Sequence, residues 1–152
     1  MWSHYAGKAQ GFCLEFDTSR EPFNEKLLKV SYPETIPPVK VTSDLLLREG
    51  NVGLIEKLYC TKSKDWAYER EWRAIHHDKG TRYVYPAESL TGVYFGTEST
   101  GPSQEIVCLI LQGQNKGVRF YQGERSTQEF KVIFKEFTYT SHREAKDKGL
   151  IS

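Results

Sequence analysis

The sequence predicts an α+β domain with a mixed, mainly antiparallel sheet and two or three helices. Three observations carry this. Short runs of β-branched and aromatic residues alternate at period two along much of the chain. Helical patterns are few and fall between them. The resulting order matches neither a doubly wound βαβ series nor an all-β sandwich. At 152 residues, a single domain spanning 1–152 is expected, long enough to bury a core. Aromatic residues make up 13% of the chain, and each buries a large area.

The first strand is expected at Gly11 to Phe16, where Phe12, Leu14 and Phe16 alternate with Cys13 and Glu15, and Asp17-Thr18-Ser19 supplies turn chemistry. Leu27 to Tyr32 reads as a second strand, after which Pro33, Pro37 and Pro38 keep the chain extended. Thr42-Ser43-Asp44 offers an N-cap to a helix through Leu45 to Arg48, and Val52 to Tyr59 forms a further helical piece. Glu71 to His76 is expected as a strand, preceded by a helical turn or loop at Trp66 to Glu69. His77 to Gly80 reads as a hairpin turn, with Arg82 to Tyr85 as the partner strand, stopped by Pro86. Leu90 to Phe95 is another strand. Gly101-Pro102 starts a helix that Gly113 closes, although Glu105 to Leu111 is apolar enough to compete as a buried strand. Val118 to Gln122 and Phe130 to Phe137 form a terminal hairpin, and the tail from Ser141 is charged. Gly11, Gly92, Gly96 and Gly101 read as turn glycines.

Composition excludes several classes. With 21 basic and 20 acidic residues, the near-neutral balance argues against a nucleic-acid partner. No apolar run approaches the ~18 residues of a membrane helix, and the opening residues do not form a secretory signal. Three cysteines, Cys13, Cys60 and Cys108, are odd in number and far apart. They suit a reduced, cytoplasmic protein with buried thiols better than a disulfide framework.

The chemistry-bearing stretch is Tyr59 to His77. If it were one long strand, Trp66, Tyr68, Arg70, Trp72 and Ala74 would share a face, and Glu69, Glu71, Arg73 and Ile75 the other. Glu69 and Glu71 would then lie roughly 7 Å apart along the strand, with Arg73 available to ionise one while the other is poised as a base. On a helix, Glu69 and Arg73 would instead pair at i,i+4. The same three residues also suit a solvated or ion-paired face. A second group is His4 and Tyr5 beside Trp2: the histidine titrates near neutrality, or it sits half-buried in an aromatic cluster. Trp2, Trp66, Tyr68 and Trp72 could stack a base or pack a core. His76 and His77 are adjacent and would face opposite ways on a strand, so no metal site is expected from them or from Asp78. No phosphate loop, dinucleotide fingerprint or nucleophile elbow is present.

Met1-Trp2-Ser3-His4-Tyr5-Ala6 followed by Gly11-Phe12-Cys13-Leu14-Glu15-Phe16 resembles the "MWSHYA…GFC-L-F" signature of the bacterial and phage domain-of-unknown-function family 2971. Lys62, Trp66 and Tyr68-Glu69-x-Glu71-Trp72-Arg73 are similar to its "K…W-x-YE-x-EWR" motif. Family members usually carry a long segment ahead of the first motif, so this chain resembles the C-terminal part of such a protein. The resemblance implies a cytoplasmic prokaryotic or phage protein, encoded on mobile or defence-related DNA, and no settled activity.

Two functional readings follow. In the first, the chain is an interaction module that blocks or senses a protein partner or forms a homo-oligomer, with Glu69, Glu71 and Arg73 locking the two motif blocks together. In the second, Glu69-x-Glu71 works as the Glu-x-Glu of an NAD-dependent ADP-ribosyltransferase. Glu71 would then hold a ribose hydroxyl, Glu69 would orient the acceptor and His4 would assist. Trp2, Tyr5 or Trp72 would stack a ring of NAD, and Arg73 would meet phosphate or fix Glu71.

Overall fold

The computed structural model describes residues 2, 6–38, 52–75, 80, 82 and 84–150. Along the chain these form β1 (Phe12–Phe16), α1 (Phe23–Lys26), β2 (Leu27–Lys29), α2 (Val52–Tyr59), a 3-10 turn (Lys64–Glu69), β3 (Trp72–Ala74), a 3-10 turn (Ala87–Ser89), β4 (Leu90–Phe95), α3 (Gly101–Gln114), β5 (Arg119–Arg125), β6 (Val132–Phe137) and α4 (His142–Asp147). The α+β class holds. The sheets are mainly antiparallel, and the short helices outnumber the two or three expected. The expected helix at Leu45 to Arg48 and the turn at His77 to Gly80 lie wholly or mainly outside the described residues. The chain divides into two compact units, Met1–Thr18 with Tyr85–Ser152, and Ser19–Val84.

The first unit is built on a four-stranded sheet of order β1-β4-β5-β6. β1 runs antiparallel to β4, β4 parallel to β5, and β5 antiparallel to β6. A parallel pair needs a crossover of a dozen or more residues, and α3 provides it. That settles the competition at Glu105 to Leu111 in favour of the helix. The period-two pattern of the strands then sorts the faces, and a register shift opposite Glu15 and Phe16 brings Leu90, three residues before Val93, onto the core side. Leu90, Val93, Phe95 and Phe120 point to one side, where they pack with Cys108 of α3, Val118 and Tyr139; Leu14, Phe16, Val107, Leu111 and Phe137 join them. The thiol of Cys108 is pushed up to about 12, first by burial and then by Glu105, so it stays protonated and packs as a small hydrophobe. Cys60 is buried as expected, but Cys13 is exposed, because it alternates with Leu14 and points away from the core.

α3 runs to Gln114 and is capped by Asn115 rather than closed at Gly113. The Asn115 backbone N–H bonds Leu111 O, and its side-chain amide donates to Ala87 O at 3.0 Å and Leu90 O at 2.8 Å. Of the four glycines read as turn residues, Gly92 lies in β4, Gly101 is the first residue of α3, and none has a positive φ.

The second unit is smaller. β2 pairs antiparallel with β3, Leu27 against Ala74 and Lys29 against Trp72, and Ser31 bridges Thr61 in parallel. Val30 and Cys60 are buried among its described residues. β3 pairs with β2, and of the expected partner strand the described residues Arg82, Val84 and Tyr85 are not in a strand. Tyr85 belongs instead to the first unit, edge-on to Phe16 with centroids 4.9 Å apart.

Candidate functional site

A two-stranded ribbon of three-residue strands is marginal by itself, and the charged residues of the central stretch supply what it lacks. Ser63 opens the 3-10 turn by accepting from Asp65 N. Arg70 closes it in a left-handed conformation, with φ 48°. That reversal is why the long strand imagined from the sequence does not form. It separates Glu69, at the end of the 3-10 turn, from Glu71, at the foot of β3.

Both carboxylates are nevertheless gathered by one cation. Lys62 Nζ lies 2.5 Å from Glu69 Oε2 and 3.4 Å from Glu71 Oε2, and 4.7 Å from the centroid of the Trp66 ring, over its face. Arg73 then holds Glu71 from the other side in a two-pronged pair, Nε to Oε1 at 2.7 Å and Nη2 to Oε2 at 3.1 Å. Its Nη1 donates to Tyr59 O. The Glu71 backbone is fixed as well: its N–H is held by Tyr32 Oη at 2.8 Å, and its carbonyl accepts from Val30 N at 3.0 Å. Only 6% of the Glu69 side chain and 28% of that of Glu71 is exposed. Arg73 holds the Glu71 carboxyl below its ordinary value, with Lys62 adding to the effect against burial. Conversely Glu69, foremost, raises Lys62, and Glu71 raises Arg73. The group is a charged clasp that ties Tyr59 and Lys62 to Glu69, Glu71 and Arg73.

The structure therefore brings Trp66, Glu69, Glu71 and Arg73 together, with different partners from those expected. Glu69 and Glu71 do not share a strand face, and Arg73 takes Glu71 rather than Glu69. Among the described residues, the ion pairs of this lock join Lys62, Glu69, Glu71 and Arg73, all of the second motif block. Tyr68 packs on Trp66 with centroids 6.0 Å apart. Trp72 turns outward beneath Lys29, 6.0 Å from its centroid. Trp2, in the first unit, packs on Phe134 at 5.6 Å. His4, Tyr5, His76, His77 and Asp78 lie outside the described residues. Lys62 was quoted only as part of a motif, and nothing local in the sequence marked it as the hub. A cleft of about 510 Å³ is lined by Pro33, Ile36, Pro37, Leu58, Thr61 and Lys62, among others. Neither Glu69 nor Glu71 lines it.

Sequence reasoning also missed a polar group on the face of the four-stranded sheet opposite its core. Glu15 of β1 accepts from Tyr94 Oη at 2.5 Å and from Thr91 Oγ1 at 2.7 Å, with Arg119 Nη2 at 3.9 Å. Tyr94 stacks on Tyr121 at 4.5 Å and meets Phe134 edge-on at 5.1 Å. The available signal was the outward set of two expected strands, Glu15 and Tyr94. The two hydroxyls, Tyr94 first, hold the Glu15 carboxyl below its ordinary 4.5. The same bond and then burial push the Tyr94 phenol up to about 12.

These shifts set a pH dependence. A carboxyl lowered in the folded state stabilises above its unfolded value, and that stability is lost as pH falls below 4.5. A phenol raised in the folded state stabilises below 10.0 and loses that contribution as pH climbs toward about 12. Tyr94→Phe is expected to cost about 1 kcal/mol at neutral pH, a figure reduced because 38% of the Glu15 side chain is exposed. The variant should also flatten both limbs of a melting-temperature profile against pH. Limbs identical to wild type would refute the assignment.

Comparison with known proteins adds one finding. Residues 1–74 match the model of a family described as a protein of unknown function, DUF2971. No curated protein and no solved structure matches the chain. No helix among the described residues is long and apolar enough to cross a membrane. The matched span takes in both motif blocks and all of the clasp. The chain is thus similar over residues 1–74, just under half of its length, to the DUF2971 family of proteins of unknown function.

Proposed function

We propose that the chain is a non-catalytic interaction module that acts on a protein partner, in the setting of phage or bacterial defence DNA that the family resemblance implies. The observation that carries this is the commitment of the glutamate pair. Glu69 is bound to Lys62 in a nearly closed environment, Glu71 is held by Arg73 and Lys62 together, and neither lines the neighbouring cleft. A transferase reading needs a carboxylate able to meet a ribose hydroxyl and a developing positive centre. Here Glu71 would first have to release a two-pronged guanidinium. The same stretch leaves Tyr59, Tyr68 and Trp72 more than half exposed, and aromatic residues are enriched in protein interfaces. An odd number of cysteines, with Cys60 and Cys108 buried, fits a reducing, cytoplasmic setting.

The test is incubation of the folded chain with NAD while free nicotinamide is followed. No release above the protein-free control is expected, and Glu71→Gln should change only stability. Release by the wild-type chain that Glu71→Gln abolishes, with the far-UV spectrum retained, would restore the ADP-ribosyltransferase reading and NAD as its cofactor.

A further inference from the structure

α3 buries one side and leaves another bare. Cys108 is buried and Val107 and Leu111 are packed against the core, whereas Ile106, Leu109 and Ile110 are 60%, 56% and 53% exposed. With Gly113, these residues fall at i, i+3, i+4 and i+7, which places them along one face of the helix. Contiguous exposed apolar surface on a folded protein marks a contact site. Gly113 has no local explanation: it does not cap the helix, its φ is not positive, and a Cβ added there would meet nothing within 4 Å. Gly113 lies in the last turn of α3, where glycine still has a lower helix propensity than alanine.

We infer that this face binds a second copy of the chain through a two-fold, antiparallel pairing of α3 with α3. Two features select the chain itself as the occupant. The first is shape. Ile106 and Gly113 lie equally far from the midpoint between Leu109 and Ile110. A two-fold axis through that midpoint therefore sets each Ile106 on the partner's Gly113 and each Leu109 on the partner's Ile110. A large side chain meets a missing one, and Leu109 and Ile110 fill the centre. This is the self-complementarity that an isologous contact requires. The second is charge. Glu105 is the one charged residue in α3, and it is occupied by Tyr139 Oη at 2.8 Å and His142 N at 3.2 Å. Apposed copies bring no unpaired like charges from the helix together, and their antiparallel helix dipoles attract. Three exposed side chains make a small contact, so the dimer belongs with weak, concentration-dependent interfaces below about 1,200 Å².

This inference names a partner for the interaction reading above and rests on it. The test is sedimentation equilibrium of the full chain from micromolar to near-millimolar concentration. The wild type should rise from the 17.6 kDa of the monomer toward twice that mass. Leu109→Glu should remain monomeric with an unchanged melting temperature, since the side chain it replaces is exposed. Gly113→Leu should weaken association by about tenfold or more while keeping or raising the melting temperature, because the position is open in the monomer. A wild type that stays monomeric throughout would overturn the inference. So would association that survives both substitutions. Either failure leaves the interaction reading in place, since that reading falls only on NAD turnover lost in Glu71→Gln.

Discussion

Replacing Gly96 with alanine is expected to lower the stability of the folded chain by about 3 kcal/mol, at the upper end of overpacking costs. The reason is a backbone crossing. A Cβ at this position would lie 2.1 Å from the carbonyl oxygen of Ala9 and 2.6 Å from its carbon. Neither strand of the crossing can withdraw. Gly96 N donates to Gly11 O at 2.9 Å, and Ala9 O accepts from Glu98 N at 3.0 Å. Ala9 N donates to Trp2 O at 3.3 Å. Lys8 and Ala9 already hold positive φ values of 59° and 67°, an uncommon state for residues with side chains, so the turn has little freedom left to absorb a shift. This crossing joins the first motif block to the end of β4. Denaturant unfolding measures the effect, with Gly101→Ala as a control because open space surrounds that position. A Gly96→Ala variant within about 0.5 kcal/mol of wild type would show that the turn moves freely.

Local signals carried much of this fold. Period-two alternation located β1, β4 and the β5–β6 hairpin, and a proline after glycine located the start of α3. These features depend on residues close in sequence, so they could be read directly. Other features depend on pairing. β3 could take a partner on either side in sequence, and the choice of β2 over Arg82 to Tyr85 is a long-range outcome that alternation does not report. Gly96 looked like a turn residue because close approach by Ala9, 87 positions away, leaves no local trace. The glutamate pair shows the same division. Its importance was legible from composition, but its geometry was not. One left-handed residue, Arg70, broke the period that placed both carboxylates on one face. A lysine seven residues before Glu69 then became their common partner.

Arg73→Met is expected to cost about 2 kcal/mol. It removes charge-assisted bonds to Glu71 and the bond to Tyr59 O. It also leaves Glu71 with Lys62 at 3.4 Å as its remaining cation among the described residues. The figure stays below the 3–5 kcal/mol of a fully buried pair because 32% of the Arg73 side chain is exposed. Glu71→Gln should also destabilise, since the amide cannot match the guanidinium in charge. The decisive measurement is the double-mutant cycle between these two substitutions, read by denaturant unfolding. If the glutamate is held as part of a clasp, the coupling should be favourable by about 1 kcal/mol or more. Coupling indistinguishable from zero would mean that Glu71 is not tied to Arg73 in the folded chain, and the carboxylate would again be available for chemistry.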